Sequence, residues 1–516
     1  MNPDSSQKEI TFAHEHSFLL VIAFLKFTFH LAVNALSSYG YFRDEFYYLA
    51  CTDRLDWGFV DHPPLSIAIL SISRAGLGDS LVAIRLLPAL AGAITVYLAG
   101  LMARELGGGT FARALAAIAT FAAPILLGMN SVYSMNSFDF LVWALAAYLL
   151  IRIIKTGNQQ LWMVLGAILG LGLMNKIGIL WLGAGIALGL LMLHRDWLKA
   201  RGPWIAGGIA LLLFLPYVAW NAANDFAHLE FIRNATSEKY SSLTAVKFIS
   251  DQILLQNPVS LPLWISGLWF FFFSDTAKQF RLLGILYATA FVILVVNQQS
   301  KAEYLSPAYP MLFAGGAVWL EQVLKDKKAF LRPIVAGFVA VSGAVLSPLA
   351  APVLPVGSYI AYADALGIKP STAENKELAE LPQFYADMFG WEELAATVIT
   401  VHASLSEEEK EQCVIYTGNY GEAGAIEFFG KSYGIPRVVS GHNNYFLWGL
   451  GSDSIDVVII VGGVQEDHRQ NFESVELAAR SQCRFCMPYE NNLPIFIARK
   501  LKRPVHEIWP FTKNFS

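Results

Sequence analysis

The feature that most restricts this chain is a succession of apolar runs, about 18 residues long or longer, between residues 17 and 350. In hydrocarbon every backbone N–H and C=O must find its partner within the protein, so such runs fold as helices. The pattern predicts spans near 17–36, 80–102, 111–128, 138–154, 161–174, 178–193, 203–220, 258–274, 281–297, 306–323 and 333–350. A further apolar stretch, 64–77, follows Pro63 and Pro64, is short, and reads as an interfacial helix. Composition agrees, with 55% hydrophobic and 15% charged residues, where soluble chains carry roughly a quarter charged. A net charge of −4 implies no nucleic-acid surface. Residues 1–16 are polar and the run 17–36 is long enough to remain as a helix, so no cleaved leader is expected.

Basic residues in short loops set the orientation, because Lys and Arg stay on the cytoplasmic side. The basic loops hold Arg104 and Arg113; Arg152 and Lys155; Arg195, Lys199 and Arg201; Lys278 and Arg281; and Lys325, Lys327, Lys328 and Arg332. They are alternate loops, which puts the N-terminus inside and everything after about residue 350 outside. Residues 161–193 test this scheme, since they are apolar throughout yet flanked by two inside loops. About 33 residues at 1.5 Å each cannot make two full spans. Two short helices turning at Asn175-Lys176-Ile177-Gly178 satisfy both constraints and put Lys176 at headgroup depth.

Residues 351–516 read differently, as a small extracytoplasmic α/β domain with a parallel sheet beside a membrane domain of residues 1–350. Strand-like runs fall at Cys413–Tyr416, Arg437–Val439, Val457–Val461 and Ile495–Ala498, with helical patterns at Ala423–Tyr433 and Asn471–Ala479. The turn at Thr417-Gly418-Asn419-Tyr420-Gly421-Glu422 follows a strand and suits either phosphate contact or tight packing, packing being favoured. The 4 cysteines, Cys51, Cys413, Cys483 and Cys486, read as a structural bridge or ordinary thiols. Cys483 and Cys486 have metal-ligand spacing, but no second pair completes a zinc site.

Candidate chemistry gathers in the outer loops. The first holds Asp44, Glu45, Asp61 and His62; acidic pairs at the end of a span are costly near lipid and usually functional. Asp139 opens an apolar helix, where a first-turn acid also favours the helix dipole. Arg85, Lys176 and Lys301 with Tyr304 sit at outer span ends, positions that an interfacial anchor would also occupy. Together they set acids beside cations on one membrane face. That combination fits transfer from an anionic lipid, with a carboxylate as general base and cations on the phosphate leaving group.

In this order the motifs resemble the GT-C fold polyprenyl-phosphate-dependent glycosyltransferases of family 39, which include protein O-mannosyltransferases and bacterial aminoarabinose transferases. The resemblance covers residues 15–325. It rests on Asp44-Glu45, the Asp61-His62-Pro63-Pro64-Leu65 box, Arg85-Leu86-Leu87-Pro88-Ala89-Leu90-Ala91-Gly92, Asp139, Gly172-Leu173-Met174-Asn175-Lys176, and Lys301 through Pro310. It implies a polytopic helical GT-C membrane protein of about eleven transmembrane helices. It implies Asp44 as the base, Glu45 and Asp139 in the catalytic set, and Arg85 on the donor phosphate. His62, Lys176, Lys301 and Tyr304 complete the expected phosphate contacts. His62 stands where the aminoarabinose branch has lysine.

The expected activity is inverting transfer of one sugar, mannose or a related hexose or pentose, from polyprenyl phosphate. The acceptor is a lipid, glycan or protein, and the location a bacterial inner membrane with a periplasmic C-terminal domain. No cofactor is required by this reading. A lipid-diphosphate donor would favour a divalent metal ion, for which Asp44, Asp61, His62 and Asp139 are the candidate ligands. The competing reading is a polytopic lipid or polysaccharide transporter. Transporters put ionisable groups near the midplane and show repeats, whereas here the charges gather outside and no repeat is visible.

Overall fold

The computed structural model describes all residues except 1–2, 240–242, 373, 375 and 452–454, and describes no side chains at 3–16 or 238–239. The chain divides into two compact units.

The first unit comprises Met1–Ser37, Leu77–Val218 and Ser242–Pro355. A helix occupies every predicted span. Six described helices are long and apolar enough to cross a membrane: Ser17–Leu36, Leu81–Glu105, Met135–Thr156, Arg201–Ala223, Asp275–Asn297 and Asp326–Ala350. The protein is multi-pass. The predicted span 111–128 is split into Thr110–Ala122 and Pro124–Met129. Pro124 has no N–H to continue the ladder, and Ala123 before it is extended at φ −71°, ψ 118°. The 161–193 stretch forms Gln160–Leu173 and Ile179–Leu193 around the expected turn.

Packing in this unit relies on small residues, since lipid offers no hydrophobic drive for helix association. Gly267 and Gly316 face each other's helices, and a methyl group at either would overlap the backbone of Leu312 or Leu263. This close approach locks the Leu261–Phe273 and Tyr309–Val323 helices together.

The second unit comprises Ser38–Gly76, Ala219–Ser241 and Val356–Ser516. Its sheet contains β1 (Cys413–Thr417), β2 (Val438–Ser440), β3 (Val457–Val461), β4 (Phe472–Ser481) and β5 (Leu493–Leu501), in the order β2-β1-β3-β5-β4. β1 pairs in parallel with β2 and β3, while β5 runs antiparallel to β3 and β4. Two expectations are corrected here. The sheet is mixed instead of parallel, and the helix read at Asn471–Ala479 is the edge strand β4. Its Glu- and Ala-rich sequence favours helix locally, but pairing with β5 from Phe472↔Leu501 to Ser481↔Leu493 overrides that preference. Only Phe472, Val475 and Ser481 of the strand are buried, so the signal for a strand is weak.

The Arg43–Thr52 helix packs on the Tyr420–Gly430 helix that follows β1. A Cβ at Gly424 would lie 2.7 Å from the Phe46 carbonyl oxygen, so only glycine allows this approach. Arg54 fixes the pair through a two-pronged bridge to Glu427, at 2.7 and 3.2 Å. Phe46 fills the interface against Trp391, Phe428 and Phe429.

Candidate functional site

Asp44, Glu45, Asp61 and His62 belong to the second unit, and Arg85, Asp139, Lys176, Lys301 and Tyr304 to the first. Each group has its own geometry.

In the second unit, Arg43 and Asp44 open the Arg43–Thr52 helix. The Arg43 backbone N–H donates to Asp387 O at 2.9 Å. Its guanidinium donates to Asp44 Oδ1 at 3.3 Å and to Tyr489 Oη at 3.0 Å, with Asp387 Oδ2 at 3.6 Å and Glu374 Oε1 at 4.0 Å. Asp44 Oδ1 also accepts from the Tyr420 hydroxyl at 2.9 Å. The Asp44 side chain is 36% exposed, whereas Glu45 is fully buried and its Oε2 accepts the Phe42 N–H at 2.8 Å. Glu45 thus satisfies a donor left over at the helix start. Asp61 accepts from the Tyr47 hydroxyl at 3.0 Å. His62 is buried, stacks on Tyr48 with centroids 4.8 Å apart, donates from Nδ1 to Pro63 O at 3.0 Å, and has Nε2 3.8 Å from Asp61.

The turn after β1 is closed by its own side chains. Asn419 Oδ1 accepts the N–H groups of Gly421 and Glu422 at 2.9 and 3.0 Å, and Glu422 Oε2 accepts the Gly418 N–H at 2.8 Å. With these donors occupied by the Asn419 amide oxygen and the Glu422 carboxyl, the turn serves packing and leaves little for a phosphate. Behind it, burial and the neighbouring Glu490 push the Glu422 carboxyl well above the ordinary carboxylate range. Burial raises Glu490 and Asp387 as well, Asp387 to about 7 against the pull of Arg43. A cavity of about 410 Å³ lies beside these groups, lined by Arg43, Glu374, Lys376, Asn419, Tyr420 and Tyr489 among others.

In the first unit, Lys176 projects from the turn between its two short helices. Its Nζ donates to Asn136 Oδ1 at 2.8 Å, lies 3.4 Å from Asp139 Oδ2, and sits 4.7 Å from the Tyr304 ring centroid. Asp139, Lys176 and Tyr304 are therefore one contact set. Arg85 is fully buried near the start of the Leu81–Glu105 helix. Lys301 is half-buried and precedes the short Ala302–Ala308 turn.

Metal binding at the candidate ligands does not fit this arrangement. Among the described residues no group of three or more His, Cys, Asp or Glu side chains is placed to hold an ion. Asp44 is engaged by Tyr420 and Arg43, and His62 Nδ1 faces a carbonyl, which leaves no convergent oxygen set. All 4 cysteines are free thiols.

Over residues 61–220 the sequence matches the family described as dolichyl-phosphate-mannose-protein mannosyltransferase. No curated protein matches it by sequence. Its structure is similar to ArnT from Cupriavidus metallidurans in the apo state, with TM-score 0.59 and 13% identity over 93% of this chain and 97% of that one. The same protein bound to undecaprenyl phosphate gives 0.58 and 14%, over 94% and 98%. The oligosaccharyltransferase AglB from Archaeoglobus fulgidus, in complex with an inhibitory peptide and a dolichol-phosphate, gives 0.51 and 10%, over 86% and 69%. The chain has the GT-C fold. The small mixed-sheet domain is part of this GT-C chain's likeness to ArnT, which extends over 93% of its length.

Two features of the GT-C chain escape the sequence reading. Arg43 and Tyr420 hold Asp44, and Asp387 and Tyr489 hold Arg43, yet Tyr420 is 376 residues from Asp44 in the chain, and only the strand-turn-helix pattern hints at that neighbourhood. The expectation that the charges gather outside, with none near the midplane of a span, is also corrected. Lys26 and His30 lie within the first span, both fully buried, with Asn34 at 4% exposure. Lys26 donates to Leu126 O at 3.2 Å, and His30 Nδ1 is 3.2 Å from Ser131 Oγ. Their spacing of four residues puts them on one helix face, a signal that was legible in the sequence.

Proposed function

We propose that this protein is an inverting glycosyltransferase. It moves a sugar from a polyprenyl-phosphate donor to a hydroxyl of a lipid, glycan or protein acceptor at the periplasmic face of a bacterial inner membrane. The observation that carries the reading is Asp44: a partly exposed carboxylate, oriented by Tyr420 and Arg43, beside a polar cavity. The GT-C fold and the lipid phosphates bound by ArnT and AglB support the donor class. In this reading Asp44 takes the proton of the acceptor hydroxyl as its oxygen attacks the anomeric carbon. The bond to the phosphate oxygen breaks on the opposite face, and its electron pair leaves with the phosphate. The family resemblance assigns Arg85, Lys176 and Lys301, with Tyr304 beside Lys176, to contact with a donor phosphate. Glu45 caps its helix, and Asp139 positions Lys176.

The test compares native membranes of wild type and Asp44→Asn by mass spectrometry. A lipid, glycan or protein that loses one sugar while a polyprenyl-phosphate sugar accumulates supports the reading. Identical profiles with equal protein levels overturn it. The buried Lys26, His30 and Asn34 face favours a second reading, a transporter, because such groups mark transport paths. Substrate flux lost in Lys26→Met with the sugar profile unchanged would select it.

A further inference from the structure

The cavity beside Asp44 has a chemistry that narrows the acceptor, given the transferase reading above. Its volume, about 410 Å³, is in the range of small-molecule sites. Polar groups of both signs line it: Arg43, Lys376 and Glu374, together with Asn419. Arg43 is already matched by Asp44, Glu374 and Asp387, so it offers little net charge to an anion, and Lys376 is the one further cation among the described lining residues. The amides of the adjoining turn are taken by Asn419 and Glu422, which removes the other means of holding a phosphate. Tyr420 and Tyr489 add ring faces, with the Lys376 ammonium 5.0 Å from the Tyr489 ring centroid. The Arg43 and Glu374 side chains of this wall are only 11% and 6% exposed, so the polar wall is already largely desolvated.

We propose that this cavity is the acceptor subsite and that it binds a non-anionic sugar ring, so that the acceptor is a glycan or the sugar head of a glycolipid. A ring with hydroxyls in several directions answers donors and acceptors fixed on several walls, while its C–H faces cover the tyrosines. A serine or threonine side chain would leave most of the cavity empty. Two lining residues, Arg43 and Tyr420, also hold the Asp44 carboxylate, so a hydroxyl of the bound ring lies next to the base. The acceptor O–H bond then gives its proton to Asp44, the new bond forms to the anomeric carbon, and the donor phosphate leaves with its electron pair.

The experiment is saturation-transfer NMR on the full-length protein in nanodiscs, probed with methyl mannoside, octyl glucoside, glucosamine, inorganic phosphate and a serine-containing peptide. Ring-proton signals from the sugars are expected in wild type and in Asp44→Asn, since binding needs no base. Tyr489→Leu and Lys376→Ala are each expected to weaken them about five-fold or more. In the transfer assay both variants raise the acceptor KM with kcat nearly kept. Signals from octyl glucoside alone also support the ring site and identify the source as a glycolipid head. Absence of sugar signals, or displacement of sugar by phosphate or peptide, overturns the proposal. So does active transfer with an unchanged acceptor KM in Tyr489→Leu and Lys376→Ala, when thermal melting shows both folded. Sugar binding without any transfer by wild type would instead sink the transferase reading and leave the sugar site standing.

Discussion

Amide replacements at Asp44 and Glu45 are expected to have opposite profiles. Asp44→Asn keeps an oxygen for the Tyr420 hydroxyl, now 2.9 Å away, and loses the charge contact with Arg43 at 3.3 Å. That contact is 36% exposed on the Asp44 side, and Arg43 retains Asp387 and Tyr489, so the stability cost is about 0–1 kcal/mol. The rate is another matter: an amide cannot accept the proton, and a positioned base is worth about 100- to 10,000-fold. At about 1.4 kcal/mol per decade this is about 3–5 kcal/mol of barrier. Glu45→Gln preserves an acceptor for the Phe42 N–H but removes a negative charge from the first turn, costing about 1 kcal/mol of stability. Its kcat should stay within about three-fold of wild type, because removing a cap charge touches no reacting atom. The assay is the initial rate of polyprenyl-phosphate release by purified protein, paired with thermal unfolding followed by tryptophan fluorescence. A variant Asp44→Asn with more than a tenth of normal turnover would refute the base assignment. A Glu45→Gln protein as inactive as Asp44→Asn would move the base to Glu45.

Three other outcomes are expected. Burial raises the Asp387 carboxyl to about 7 from an ordinary 3.8, with Arg43 opposing, so between those values the unfolded chain binds fewer protons than the folded one. Stability of the second unit should therefore fall as pH rises from about 4 to about 7, by up to about 4 kcal/mol from this group, and level off above. Asp387→Asn should flatten that slope in thermal midpoints taken from pH 4.5 to 8, and an undiminished slope would contradict the argument. Lys176→Met strands Asp139, whose side chain is 4% exposed, and should cost about 3–5 kcal/mol. Adding Asp139→Asn should recover part of it; full additivity in the double-mutant cycle would mean the two do not interact. The Cys486 thiol and neighbouring backbone groups lower the Cys483 pKa, while Cys486 is raised by that same pairing and by burial. Iodoacetamide near neutral pH should alkylate Cys483 first, and equal labelling by peptide mass spectrometry would refute this.

What the sequence determines by itself are features set by distance along the chain. Length and hydrophobicity placed the helices, and basic loops on both sides of residues 161–193 forced the turn that presents Lys176. The edge strand β4 was not legible, because Phe472–Ser481 has helix-forming residues and becomes a strand only by pairing with β5. Composition and spacing could not separate Asp44 from Glu45, two adjacent acids of the same charge; only the family resemblance singled out Asp44 as the base. Only tertiary structure turns one inward to cap Phe42 and leaves the other partly exposed against Tyr420. The cavity is likewise a product of tertiary structure. Arg43, Glu374, Asn419 and Tyr489 are scattered along the chain and carry no mutual spacing. They meet because the Arg43–Thr52 helix packs on the Tyr420–Gly430 helix, through a glycine contact that no local periodicity encodes.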